Sequence, residues 1–167
     1  VRANMTASWM AQMAWDVYVL TELPTRAFAE TGPWVAECAK PPIVQTIIVA
    51  ELAAALVDDK ANDVAAKKII VIDLSKHAQY VQAHIPGALY ALRSQFRQAL
   101  SQLPRALAYV LVCPDGLLSA YAHAEIAALL SAPVSVLTGG MQAWKAAGLA
   151  LEKGPTALLS EPIDRYK

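Results

Sequence analysis

The sequence predicts an α/β fold, a parallel sheet whose strands are joined by crossover helices. From Ile69 to Gly148 short β-branched runs alternate with stretches of helical periodicity, the pattern left by a sheet covered on both faces. Turn residues separate the runs, at Pro86-Gly87, Pro104, Pro114-Asp115-Gly116 and Gly139-Gly140, where one element should stop and the next begin. The composition supplies the apolar surface such a core needs: 56% of the 167 residues are hydrophobic and 17% charged, below the roughly 25% charged usage of ordinary domains.

Taken in order, Val49 to Val57 reads as a helix and Asp58 to Lys68 as a charged loop of small residues. Ile69-Ile70-Val71-Ile72 is an apolar run of strand length, and Lys76 to Gln82 is helical up to the Pro86-Gly87 turn. Ala88 to Leu92 can hold a short strand. Arg93 to Leu103 places Phe96, Leu100 and Leu103 four and three residues apart, one face of an amphipathic helix that Pro104 ends. Tyr109 to Val112 reads as a buried strand, Ser119 to Leu130 as an Ala- and Leu-rich helix, and Val134 to Leu137 as the last strand. Gly139-Gly140 then opens a helix carrying Met141, Trp144 and Lys145, with Gly148 as its C-cap glycine.

These elements form one unit of ordinary domain size, from 44 to 154. Residues 1–43 are too few to fold alone. They copy part of the unit: Thr6 to Met13 followed by Val17 to Leu20 repeats the layout of Ala124 to Leu130 followed by Val134 to Leu137. The prolines at 24, 33, 41 and 42 mark a linker, and residues 155–167 read as a second linker.

Several partner classes are excluded. Fourteen Lys and Arg against fourteen Asp and Glu leave no net charge, hence no field to gather nucleic acid. No apolar run approaches the roughly 20 residues a membrane span requires. Two cysteines cannot form a disulfide framework, which points to a reducing cytoplasm. His77 and His123 lie on predicted helices with no second ligand at useful spacing, so no metal site and no cofactor are expected.

The chemistry centres on Cys113, the first residue after an apolar strand. The loop Cys113-Pro114-Asp115-Gly116-Leu117-Leu118 leads into a helix at Ser119, and backbone N–H groups in such a loop form a concavity for an anion. A helix terminus supplies about 0.3 to 1 kcal/mol toward thiolate, while the Asp115 carboxylate works against it. Two readings stand at this point: a nucleophilic thiol, or a small hydrophobe closing the strand end. Asp73, at another strand end, should accept N–H bonds and shape the pocket, and His84 should cap or bond nearby backbone rather than serve in acid–base catalysis. Arg93 offers charge at the rim or is a solvated helix residue. Cys38, in the linker, is exposed and incidental, or else a resolving thiol.

These residues resemble the rhodanese-like domains, the sulfurtransferase family. Ile72-Asp73-Leu74 with Ala83-His84-Ile85-Pro86-Gly87-Ala88 is similar to the family's early signature. Cys113-Pro114-Asp115-Gly116 resembles the start of its six-residue active loop, and Leu137-Thr138-Gly139-Gly140 with Trp144 and Gly148 its closing block. The resemblance covers about 44 to 154 and implies a five-stranded parallel sheet with helices on both faces. It implies that Cys113 takes a sulfane sulfur from a small donor such as thiosulfate, holds it as a persulfide, and passes it to a thiol or cyanide. Val1-Arg2-Ala3 is similar to the end of such a loop. Residues 1–43 would then be the C-terminal part of a preceding repeat plus linker, and other repeats of the same protein would be partners.

Three positions depart from the family pattern. Leu118 stands where many members carry Arg or another polar group, Ser75 where Arg often follows, and Ala83 where Gly is usual. Loss of a loop cation should weaken a dianionic donor most. A competing expectation is therefore a catalytically weak or inactive repeat serving as scaffold or regulatory module. Phosphatase chemistry is disfavoured, because Ser119 stands where an Arg would have to clamp phosphate.

Overall fold

The computed structural model describes residues 2–22, 24, 32, 40–61 and 67–163, which fall into two compact units, Val1–Ala39 and Lys40–Lys167. In the first, helix α1 (Arg2–Gln12) has no buried residue. Residues 15–20 are irregular, so the strand expected at Val17 to Leu20 does not form. A strand needs a neighbour for its N–H and C=O groups, and no described residue pairs with it. Trp9 and Trp15 are 68% and 63% exposed. Cys38 lies outside the described residues.

The second unit runs β1 (Thr46–Ile47), α2 (Val49–Ala61), β2 (Lys67–Asp73), α3 (His77–Gln82), β3 (Leu89–Tyr90), a 3₁₀ turn (Arg93–Gln95), α4 (Phe96–Ala99), β4 (Ala106–Val112), α5 (Leu117–Ala127), β5 (Val134–Leu137) and α6 (Gly140–Ala146). The strands form one five-stranded parallel sheet in the order β1-β5-β4-β2-β3. Because strand side chains alternate between faces, Ile70, Ile72, Tyr109, Leu111 and Val136 meet Phe96, Ala122 and Ile126 on one side. Val71, Val110, Val112 and Leu137 meet Leu52, Met141 and Trp144 on the other. Two apolar layers sandwich the sheet. Burying a large apolar side chain in them is worth about 1.5 to 3 kcal/mol.

Three differences from the sequence reading have local causes. The helix expected over Arg93 to Leu103 shrinks to a 3₁₀ turn and one α turn, after which Gln102 N–H donates to Ala99 O and Leu103 N–H to Leu100 O in the tighter pattern. The Ser101 hydroxyl bonds Gln98 O, competing for the helix ladder. The loop expected over Asp58 to Lys68 narrows, since α2 runs to Ala61 and β2 starts at Lys67. Finally, Leu159 N–H donates to Tyr90 O and Tyr90 N–H to Ala157 O, while the Ser160 hydroxyl accepts from Leu92 N–H. Part of the stretch that composition marks as linker thus lies along the outer edge of β3.

Candidate active site

The strand order creates the site. β2 hands on to β3 in one direction and β4 to β5 in the other, so β2 and β4 flank the point where the winding reverses. A crevice opens there beyond the carboxyl ends. Asp73 ends β2 opposite Val112 of β4, and Cys113 follows Val112.

Loop geometry around Cys113 is set by three residues. Asp115 Oδ1 accepts the Leu117 N–H at 3.0 Å, a side-chain turn of the kind aspartate makes with the backbone two residues on. That turn starts α5 at Leu117, two residues before the Ser119 start that composition suggests. Gly116 takes φ 89° as the helix N-cap, a left-handed conformation costly for other residues. Gly140, at φ 56°, lets the next crossing press against the loop: a Cβ there would overlap the Cys113 carbonyl oxygen and crowd the amides of Gly116 and Asp115. Met141 and Gln142 N–H groups then donate to Cys113 O and Pro114 O, both at 2.9 Å.

The thiol itself is enclosed. Cys113 is 0% exposed and packs in the same cluster as Leu111 and Ile72, the face that alternation from Tyr109 and Leu111 assigns to it. Its sulfur accepts the Ser119 N–H at 3.4 Å, and its S–H is directed at Asp115 Oδ1, 3.7 Å away. The carboxylate thus faces the thiol proton. The Ser119 hydroxyl, on a residue that is also 0% exposed, has no hydrogen-bond partner, and it is the one such buried side-chain atom among the described residues. An unsatisfied buried hydroxyl costs about 1 to 3 kcal/mol.

Two hollows flank the loop. One, of about 520 Å³, is bordered by Leu74, Leu92 and Leu118, with Ser75, Lys76 and Arg93 among its polar lining. The other, of about 200 Å³, is bordered by Ser75, Pro114, Gln142 and Lys145. Cys113 lines neither, so sulfur chemistry requires the loop to admit the donor. Arg93 does reach the hollow beside Leu118, but its Nε is 2.9 Å from Glu125 Oε2, which offsets its charge. Lys76 is a second cation there. Sequence reasoning missed Lys76, Leu92 and Glu125; the available signal was that loops after adjacent parallel strands gather at one end, which needs the strand order.

The supporting residues hold the frame. Asp73, 1% exposed, accepts the Ser75 N–H at 2.8 Å and the Ser75 hydroxyl. Burial pushes its carboxyl pKa up, against the opposing pull of those bonds and of nearby His84 and Lys145. His84 is fully buried; Nδ1 lies 2.7 Å from Tyr80 O and Nε2 3.1 Å from Thr156 Oγ1, and its ring stacks on Tyr80 at 3.9 Å. With both ring nitrogens bonded away from Cys113, its place is architectural. Trp144 donates to Ala150 O at 3.0 Å from within the second apolar layer.

Comparison with known proteins agrees with this geometry. The family described as Rhodanese-like domain matches residues 51–147, more than half of the chain. A crystal structure of thiosulfate sulfurtransferase from Pseudomonas aeruginosa is 45% identical with a TM-score of 0.78, covering 100% of this chain and 30% of that one. Thus the chain spans under a third of that relative's length. A rhodanese-related protein from Thermoplasma volcanium (21% identical, TM-score 0.53, covering 65% of this chain and 98% of that one) shares the fold. So does a rhodanese-like domain protein from Staphylococcus aureus (23% identical, TM-score 0.52, covering 66% and 98%). A search of curated proteins returned no match. With the five-stranded parallel sheet, the family match and the loop at the reversal point in agreement, this chain belongs to the rhodanese-like domain family.

Proposed function

We propose that the domain is a sulfurtransferase whose nucleophile is Cys113. The observation that carries the reading is the Ser119 N–H on the Cys113 sulfur, at the strand end where the winding reverses. After loss of the S–H proton, which is directed at Asp115, the thiolate attacks the outer sulfur of thiosulfate. A new S–S bond forms on Cys113, the old one breaks, and its electron pair leaves with sulfite. The resulting persulfide gives its outer sulfur to cyanide or to an acceptor thiolate, and the Cys113 thiolate or thiol returns. No cofactor enters this cycle. The same reading extends to other rhodanese-like repeats as partners, supported by the alignment of the whole chain within a relative of which it covers 30%, and to the cytoplasm as compartment.

Specific observations favour a second reading, a weak or inactive repeat acting as scaffold or regulator: Cys113 is enclosed, Asp115 faces its proton, and Leu118 replaces a loop cation. One measurement separates the two. The chain is incubated with thiosulfate, and in parallel with mercaptopyruvate, and its intact mass is followed. Addition of one sulfur that disappears in Cys113→Ser is the expected result; no adduct with either donor leaves only the scaffold.

A further inference from the structure

The Ser119 hydroxyl is buried, unpartnered and on the residue whose main-chain N–H already holds the Cys113 sulfur. Other buried side-chain nitrogen and oxygen atoms among the described residues have partners. A buried hydroxyl without a protein partner calls for an explanation, and a partner that arrives during the working cycle supplies one. A neutral thiol is a weak acceptor. A persulfide anion adds a second sulfur about 2.05 Å beyond the first, and that sulfur carries charge.

We infer that the Ser119 hydroxyl is the side-chain donor for the outer sulfur of a Cys113 persulfide. This rests on the proposed role of Cys113. In the unloaded domain the hydroxyl is idle. In the loaded one it donates to the terminal sulfur while the main-chain N–H keeps the inner sulfur, so a charged hydrogen bond forms in one state only. Its contribution is to the depth of the loaded state rather than to encounter with the donor. The effect therefore belongs to the loading equilibrium, which is independent of how well thiosulfate is captured.

The test equilibrates the full chain and Ser119→Ala with thiosulfate and sulfite at fixed ratios and reads the loaded fraction by intact mass. Loading by thiosulfate releases one sulfite, so the ratio sets the equilibrium. The loading constant should fall about tenfold in Ser119→Ala, which corresponds to ~1.4 kcal/mol. Alkylation of unloaded Cys113 by iodoacetamide, which depends on the main-chain contact, should change less than twofold. Equal loading of parent and variant overturns the inference, as does a tenfold fall in both readouts, which would mark a packing effect on the thiol. If the parent takes up no sulfur at any ratio, the Cys113 reading fails first and this one goes with it.

Discussion

The two crossings that leave β4 and β5 are built alike and do different things. Each turns from a strand into a helix through a left-handed glycine N-cap, Gly116 at φ 89° and Gly139 at φ 70°, and neither has a side-chain cap bond. The first carries a thiol, a carboxylate facing it and an idle hydroxyl. The second carries no ionisable group between Leu137 and Met141; its main chain is pressed against the first, with Met141 and Gln142 bonding Cys113 O and Pro114 O. The lesson is that the Cys113 loop keeps its shape from its neighbour, whose main-chain N–H groups take up the Cys113 and Pro114 carbonyls. One crossing carries the proposed nucleophile and the other buttresses it.

The sharpest way to break this comparison is Gly140→Ala. The atoms it meets are main chain, Cys113 O and the Gly116 and Asp115 amides, so nothing flexible can retreat, and the left-handed φ adds strain. A loss of about 3 kcal/mol or more is expected, read as a lower urea midpoint with unchanged slope. A parent-like midpoint would show that the buttress is not needed.

A smaller effect is expected at the reactive crossing itself. Leu118→Arg places a cation in the hollow that Arg93 shares with Glu125. A partly exposed charge contact is worth about 0.2 to 1 kcal/mol, so sulfur uptake from thiosulfate should rise up to about fivefold while uptake from mercaptopyruvate rises less. Equal change with both donors would remove electrostatics from the contrast between the crossings.

The smallest effect belongs to the third strand end, at Asp73. Its folded carboxyl is raised above 3.8, so the folded state binds the proton more tightly than the unfolded one. The contribution to stability is therefore present at low pH and is lost as pH rises from 3.8 through the folded value. Asp73→Asn keeps an acceptor for the Ser75 N–H and removes the charge. Urea midpoints of parent and variant, followed upward from pH 3.8, should diverge in favour of the variant; parallel curves would mean that burial does not govern this carboxyl.

Much of the domain is legible in the sequence. The Tyr109 to Val112 and Val134 to Leu137 strands, the helix after Gly140 and its Gly148 stop all lie where periodicity and turn residues put them, because those signals are local. The resemblance in three ordered blocks supplied the five strands. Failures came where a neighbour decides. Val17 to Leu20 has strand composition and no strand beside it among the described residues, and Ser101 diverts the Arg93 to Leu103 helix through its own hydroxyl. Ala157 to Ser160 look like linker until Tyr90 and Leu92 take up their polar groups. At the candidate site, the turn chemistry of Asp115 and Gly116 was legible in the loop, but the enclosure of the thiol and the presence of Lys76 beside Leu118 were not.

The sequence by itself determined the order of the elements, the turn chemistry of Asp115 and Gly116, and the face on which Cys113 falls, since each depends on residues within a few positions of one another. Tertiary structure alone decided the strand order β1-β5-β4-β2-β3. With it came the meeting of the β2, β3 and β4 loops, the pairing of Arg93 with Glu125 and the burial that leaves the Ser119 hydroxyl alone. The physical reason is that side-chain periodicity specifies which way a residue points, whereas the neighbour it meets depends on which strands exchange hydrogen bonds across long loops.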